Sequence, residues 1–255
     1  MYAEERQQAM AQLIGQQGRV SVAELAENLS VTTETVRRDL SALERMGLIR
    51  RVHGGAVPAS TLAVIESGIS ERDLANTDAK DAIAAAAIAF LPPPGSMIVV
   101  DAGSTTARFV ALLPRDHRLT VVTHAVPVAA RLAGLPHIDL FLLPGKVRAT
   151  THAAVGSDTV AALSDLRADV SFLATNGIST THGLTTPDRE EAATKRAIAG
   201  AGRRTVVLAD STKIGVEASM RFAALSEVDV LITDSGISDN DATALAAAGV
   251  EVVIA

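Results

Sequence analysis

The sequence predicts a mixed α/β chain in two parts, a small helical domain followed by a larger one built on a parallel sheet. Beyond Gly95, seven short β-branched runs alternate with helical patterns: MIVVD (97–101), LTVVT (119–123), IDLFLL (138–143), VSFLA (170–174), TVVLAD (205–210), VDVLITD (228–234) and VEVVIA (250–255). Such nearly continuous apolar runs belong to strands covered on both faces. Before Pro58, by contrast, apolar residues recur at helical spacings of three and four. Between the two, PASTLAVIESGIS (58–70) is small and polar without a sustained period, and reads as a linker. The expected divisions are 1–57, 58–72 and 73–255.

Taken in order, residues 3–17 place Met10, Leu13 and Ile14 on one helical face and end before Gly18. Val20-Ser21-Val22 is a short extended piece with Ser21 as a cap for AELAENL, in which Leu25, Ala26 and Leu29 face inward. Thr32 to Ala56 reads TTETVRRDLSALERMGLIRRVHGGA. Thr33 can cap a helix whose stripe is Val36, Leu40, Leu43 and, less well, Met46, leaving Arg37, Arg38, Ser41 and Arg45 outside; Gly47 ends it. Leu48 to Val52 then alternates apolar and basic residues up to a Gly54-Gly55 turn, giving a short ribbon. Two short helices, a tight turn, a basic third helix and a ribbon are the parts of a winged helix-turn-helix, which docks on double-stranded DNA.

The net charge of −6 argues against DNA until it is divided. Residues 1–57 hold seven Lys or Arg and seven Asp or Glu, so the acidic excess lies in the remainder. Arg37 to His53 alone carries five arginines against Asp39 and Glu44, a local stripe of the kind phosphate contacts require. The residues expected to meet an operator are Thr33, Thr35, Arg37 and Arg38 in the groove and Arg50, Arg51 and His53 on the backbone, with Ser21 and Thr32 beside them. The absence of cysteine excludes disulfides and thiolate metal sites. A charged beginning, MYAEERQQAM, and no apolar run long enough to span a bilayer lead to the expectation of a cytoplasmic chain without a membrane partner.

In the larger part, Glu71 to Phe90 is predicted as one helix, stopped by Pro92-Pro93-Pro94-Gly95. The strands after it end in polar residues, Asp101, Thr123, Thr175, Asp210 and Asp234, on the side where open α/β sheets bind ligands. Asp101-Ala102-Gly103-Ser104-Thr105-Thr106 joins a strand to the amphipathic ARFVALL: a glycine for close approach, hydroxyls, and free N–H groups of a new helix suit a phosphate. An ordinary Ser/Thr cap explains the same residues equally well on their own. Asp210-Ser211-Thr212-Lys213 adds a cation, as do Lys146 and Arg148 after Gly145; His124 and Asn176-Gly177 complete the rim. Glu191 and Lys195 form an i,i+4 pair, which on an exposed face merely stabilises a helix.

Over nearly its whole length the chain resembles the DeoR family of bacterial repressors. The signature RVSVAELAENLSVTTETVRRDLSALERMGLIRRVHGGA carries the resemblance in the first part, and DAGSTT, VVTH, PGKVR, Val155-Gly156, NGI at 176–178, the Glu191/Lys195 pair, DSTK and LITD carry it in the second. The resemblance implies a C-terminal sensor domain similar in fold to ribose-5-phosphate isomerase, binding a phosphorylated sugar or polyol that changes operator affinity, and a homo-oligomer. It implies an effector pocket of Asp101, Gly103, Ser104, Thr105 and Lys213 with Arg148 and Lys195 nearby, and no cofactor. His124 stands where most members have Asn, and Pro144-Gly145 where they often have Gly-Gly. The beginning MYAEERQ and LPGKVRATTHAAVG are similar to members associated with fructose use, which gives a fructose phosphate as the expected effector. The competing reading is a sugar-phosphate isomerase carrying a DNA-binding domain, whose chemistry needs a positioned carboxylate and an electrophile, for which Asp101, Glu191 and Lys213 are the candidates.

Overall fold

The computed structural model describes residues 3–17, 20–52, 54–58 and 68–255. They fall into two compact units, within 1–62 and within 63–255. The smaller consists of α1 (Ala3–Gln17), β1 (Val20–Ser21), α2 (Val22–Asn28), α3 (Thr33–Arg45), β2 (Ile49–Val52) and β3 (Gly55–Pro58). The strands form an antiparallel sheet in the order β1-β3-β2. Met10, Ile14, Leu25, Val36, Leu40, Leu43 and Ile49 close over one another as its core, as helical spacing requires.

Three local readings shift. Thr32, not Thr33, caps α3, its hydroxyl accepting from the Thr35 N–H at 3.2 Å. Met46 is 55 % exposed, since the helix stops there and the stripe has no further turn to continue on. The glycine with the turn conformation is Gly54, at φ +76, while Gly55 already lies in β3. A Cβ on Gly55 would come 2.2 Å from the Val20 carbonyl oxygen, so β1 requires glycine there.

The larger unit opens with α4 (Ile69–Leu74) and α5 (Thr77–Ala87), the latter extended by a 3₁₀ turn over Ile88–Phe90. The single helix predicted from Glu71 is therefore two, and the first begins inside the stretch read as linker. Ala75 is extended and Asn76 left-handed at φ 52, a conformation asparagine tolerates better than most residues. There follow β4 (Met97–Val100), α6 (Ser104–Ala111), β5 (Leu119–Thr123), α7 (Val126–Leu132), β6 (Ile138–Leu142), β7 (Lys146–Arg148), β8 (Ala153–Val155) and α8 (Ser157–Ser164). The chain continues through β9 (Ala168–Leu173), β10 (Gly177–Ser179), β11 (Gly183–Thr186), α9 (Arg189–Ala201), β12 (Gly202–Leu208), β13 (Met220–Ala223), β14 (Val230–Thr233), α10 (Asp239–Ala247) and β15 (Glu251–Ile254).

Seven of these make a wholly parallel sheet in the order β15-β14-β12-β9-β4-β5-β6, matching the seven runs read from the sequence. Successive residues of each strand feed opposite layers: Ile98, Val100, Phe172 and Val206 one, Val99, Leu173, Val207 and Leu231 the other. The β7-β8 hairpin and the antiparallel β10-β11-β13 sheet are additions to the seven strands expected from the sequence. From β4 the chain winds outward to β5 and β6, then crosses to β9 and winds the other way. The crevice between β4 and β9 is thus the topological switch point, where ligands bind in such sheets.

Phe172 is fully buried, its ring centroid 4.4 Å from that of Phe109. Phe172→Ala is expected to cost the larger unit roughly 3–5 kcal/mol in denaturant unfolding. A loss below about 1 kcal/mol, small against large-to-small core changes, would contradict the packing described.

Candidate functional site

Asp101 follows β4 directly into the switch point and is completely buried. Its N–H donates to the Phe172 carbonyl at 2.9 Å, continuing the β4 ladder by one residue. Its carboxylate is filled from three directions. The Lys195 ammonium donates to Oδ2 at 2.5 Å, the Ala174 N–H donates to the same oxygen at 2.9 Å, and His124 Nε2 lies 2.9 Å from Oδ1. Burial alone would raise this carboxyl; the charges of Lys195 and His124 outweigh it and hold it at about 2.

His124, also fully buried, donates from Nδ1 to the Ala154 carbonyl at 2.7 Å. Its Nε2 is 3.1 Å from the Ala102 nitrogen as well as near Asp101. A doubly protonated ring donates to the carboxylate; a neutral ring accepts from the Ala102 N–H. Either way it joins the ends of β4 and β5 to the β7-β8 hairpin.

Lys195 comes from α9, whose buried stripe includes Glu191, Ala192, Lys195 and Ile198. The Glu191/Lys195 pair is therefore internal, at 3.7 Å, rather than an exposed helix-stabilising pair. Lys195 also donates to the Ala174 carbonyl at 3.0 Å. Glu191 is held by Arg148, which reaches Asp188 too, and accepts from the Thr186 hydroxyl at 3.2 Å. That hydroxyl is also 3.0 Å from Asn176 Oδ1.

Several expected contact residues are spent on the fold. Thr106 donates to the carbonyls of Asp101 and Gly103, Thr123 to that of Val100, and the Thr175 hydroxyl to those of Gly177 and Thr185. Gly103 is required by the residue that follows β9: a Cβ there would sit 2.7 Å from the Ala174 Cβ. Gly145, at φ +137, would clash with the Thr159 hydroxyl at 2.2 Å, and a Cβ on Gly177 with the Val216 carbonyl oxygen at 2.3 Å. Lys146 is exposed on β7.

What remains unspent lies around the N-terminus of α6 and the end of β12. Ser104 and Thr105 are nearly buried, and their hydroxyls have no hydrogen-bond partner among the described residues. The leading N–H groups of α6 have no acceptor within the helix. Asp210 accepts from Asn76 at 3.2 Å and caps the turn that presents half-buried Lys213. The Lys213 ammonium forms no ion pair or hydrogen bond among the described residues. Asp234 fixes this turn from β14, accepting from the Ser211 N–H and hydroxyl at 2.6 and 2.9 Å. A cleft of about 710 Å³ opens beside Ser104 between α4, α6 and α7, with Arg108, Arg131 and His152 on its walls. Among the described residues, no three His, Asp or Glu side chains converge to hold a metal ion.

The sequence reading missed Lys80. It is 4 % exposed on the stripe of α5 that also holds Ile83, Ala84 and Ala87. The signal was present: a lone cation three and four residues before buried apolar positions.

In the smaller unit, Arg37 and Arg38 are exposed on α3, as are Thr32 and Thr33, while Thr35 is half-buried. Arg37 lies 3.6 Å from Glu34. Asp39, counted against the basic stripe, turns inward to accept from Arg6 at 2.6 Å and Gln7 at 3.0 Å, leaving the outer face more positive than the sequence count suggests. Arg51 on β2 donates to the Ser41 hydroxyl at 2.9 Å. Arg50 lies beside it in the strand, and His53 falls outside the described residues. Ser21 is engaged in a capping box with Glu24.

A basic helix and wing joined to an α/β unit with polar loops at the carboxyl ends of its strands define the class of a ligand-responsive DNA-binding protein. The DeoR-like helix-turn-helix domain matches residues 6–61, and the DeoR C terminal sensor domain residues 75–235. The HTH-type transcriptional regulator GlpR of Haloferax volcanii is 33 % identical over 253 residues, 99 % of this chain and 98 % of that protein. The glycerol-3-phosphate regulon repressor of Escherichia coli K12 is 32 % identical over 232 residues, covering 91 % and 90 %. Among solved structures, ribose 5 phosphate isomerase A from Neisseria gonorrhoeae aligns at 17 % identity and TM-score 0.37, covering 53 % of this chain and 52 % of that one. The chain belongs to the DeoR family of transcriptional regulators. Among the described residues, no helix is long and apolar enough to cross a membrane.

The depressed Asp101 carboxyl gives a pH signature. Its stabilisation is fully present above the ordinary value of 3.8 and lost as pH falls through about 2. The stability deficit of Asp101→Asn, measured by denaturant unfolding, is expected to be constant above about pH 5 and to shrink below the unfolded carboxylate pKa near 4. A deficit independent of pH down to about 2 would contradict the ion pairing.

Proposed function

We propose that the chain represses a sugar-utilisation operon and is released or recruited by a phosphorylated sugar bound at the carboxyl ends of β4 and β12. The observation that carries this is two sets of groups without partners among the described residues at the carboxyl end of one parallel sheet, the hydroxyl-lined N-terminus of α6 after β4 and Lys213 after β12. A phosphoryl group meets both needs at once, since backbone N–H groups and an ammonium bind its oxygens more strongly than neutral acceptors. A fructose phosphate is the first candidate, and the regulon named in the Escherichia coli relative puts glycerol 3-phosphate in the same screen.

On DNA, α3 enters the major groove through Thr33, Thr35, Arg37 and Arg38, flanked by Ser21 and Thr32, while Arg50, Arg51 and His53 on the wing contact phosphates. Two copies related by a two-fold axis read inverted half-sites, and affinity falls steeply with salt as counterions are released. The domain divisions proposed are those read from the sequence, except that the linker ends before α4 rather than at residue 72.

The isomerase reading is disfavoured by how the carboxylates are used. Proton transfer between adjacent carbons needs a carboxylate in reach of substrate. Asp101 is saturated by Lys195, Ala174 and His124, and Glu191 is held by Arg148 and Thr186. Pentose and hexose phosphates incubated with the protein are therefore expected to remain unconverted; turnover above background would restore the enzymatic reading.

A thermal-shift series tests the pocket. At a concentration of 100 times the dissociation constant a ligand stabilises by about 2.7 kcal/mol, so at least one sugar phosphate is expected to raise the unfolding temperature by several degrees. Lys213→Ala is expected to abolish that rise and to retain binding to the operator in the absence of ligand. Loss of both together would mean misfolding, and an undiminished rise would remove Lys213 from the pocket.

A further inference from the structure

Lys80 is the buried cation left without a role. Two of its three ammonium protons donate to the carbonyls of Arg72 and Ala75, at the carbonyl end of α4, where a cation is favoured. The third has no acceptor among the described residues. The charges acting on this ammonium include those of Asp210 and Lys213 after β12, of Arg108 on α6 and of Asp73 on α4. Burial pushes it below the usual lysine range, Asp210 opposes this, and Lys213 and Arg108 reinforce it. Geometry links it to a second cation: the Lys80 backbone N–H donates to the Asn76 carbonyl at 3.1 Å, and Asn76 donates to Asp210, which caps the turn bearing Lys213, an arrangement that an incoming anion relieves.

The position of α4 depends on such polar fastenings, because this six-residue helix buries none of its own residues and leaves Leu74 82 % exposed. The Ile69 N–H donates to the Thr150 carbonyl at 2.8 Å, and Arg108 donates to the Asp73 carbonyl at 3.0 Å. Just beyond the helix, Asn76 donates to Asp210, which caps the turn bearing Lys213. In chain order α4 is the first described element after the wing strand β3.

We propose that Lys80 is a phosphoryl contact of the pocket, acting with Lys213, and that a phosphorylated ligand alters α4 by competing with the Arg72 and Ala75 carbonyls for the same ammonium. The proposal rests on reading the pocket as a phosphorylated-sugar site and deepens it. Phosphoryl oxygens are charged acceptors and outcompete neutral carbonyls for an ammonium. The ligand thereby loosens the last turn of the segment that leads back towards the DNA-binding unit, giving the pocket a physical output.

Because the chain has no cysteine, Leu74→Cys creates a unique labelling site for an environment-sensitive fluorophore. The labelled full-length chain is titrated with inorganic phosphate, fructose 1-phosphate, fructose 6-phosphate and glycerol 3-phosphate. Binding of at least one is expected to change the emission. Lys80→Gln is expected to raise the half-saturating concentration at least tenfold, about 1.4 kcal/mol, and to remove the emission change, while Lys80→Arg restores part of both. If Lys80→Gln unfolds at the wild-type temperature, binds as tightly and gives the same emission change, the proposal is overturned, and a simultaneous loss of binding in Lys213→Ala shows that the pocket reading survives. If no probe binds the unsubstituted chain, both fall. Should Lys80→Gln not fold, amide exchange in residues 70–75 of the unsubstituted chain decides: faster exchange with saturating ligand supports the proposal, and unchanged exchange overturns it.

Discussion

The buried carboxylate of Asp101 is the constraint on which the larger unit depends. An ionised carboxylate removed from water costs several kcal/mol unless cations and N–H groups replace its hydration. Here the replacements come from three places in the chain: His124 at the end of β5, Ala174 at the end of β9 and Lys195 on α9. None can withdraw without leaving a charge unpaired inside the protein. The carboxylate thus clamps the switch point of the sheet, and the loops that surround it inherit their positions from it.

This clamp divides the polar residues of the rim into two groups. Asp101, Thr106, Thr123, His124, Thr175 and Lys195 point inward and are satisfied by the protein. Ser104, Thr105 and Lys213 have no such partner among the described residues, and with the leading N–H groups of α6 they are the groups proposed to meet a ligand. A regulator needs this division more than an enzyme does. Its pocket must be preformed enough to select a ligand, and at least one element touching it must differ between two states, since a ligand with equal affinity for both shifts nothing. The short α4, held by side chains from α5 and α6 and burying nothing itself, has the properties of such an element.

The seven central strands were legible because β-branched runs covered on both faces are hard to mistake, and α3 was legible because Val36, Leu40 and Leu43 keep strict helical spacing. The additional strands β7, β8, β10, β11 and β13 are three or four residues long, too short for any period to declare itself. The break at Asn76 escaped notice because nothing but a left-handed residue marks it. In the candidate site, the loops were found from residue type, but the roles within them were not. Asp39, Lys80, Glu191 and Lys195 are charged residues on the apolar stripes of their helices, and they are also the ones that form internal pairs or caps. Read as a charge on the outer stripe in the case of Asp39 and as an exposed-face pair in the case of Glu191 and Lys195, these side chains face inward; which partner each meets depends on contacts such as Asp101 with Lys195, 94 residues apart, that no local pattern encodes.

Occupation of the proposed anion pocket must change what α3 and its wing do on DNA if the chain is a metabolite-controlled regulator. The most direct measurement is equilibrium binding of the full chain to a duplex carrying its own upstream region, at fixed moderate salt, with each phosphorylated sugar and with its unphosphorylated counterpart. The account predicts that at least one phosphorylated sugar changes the operator affinity by tenfold or more, about 1.4 kcal/mol of coupling, while the unphosphorylated sugar leaves it unchanged. Identical affinity under all these conditions, or an equal response to both forms of the sugar, would contradict it.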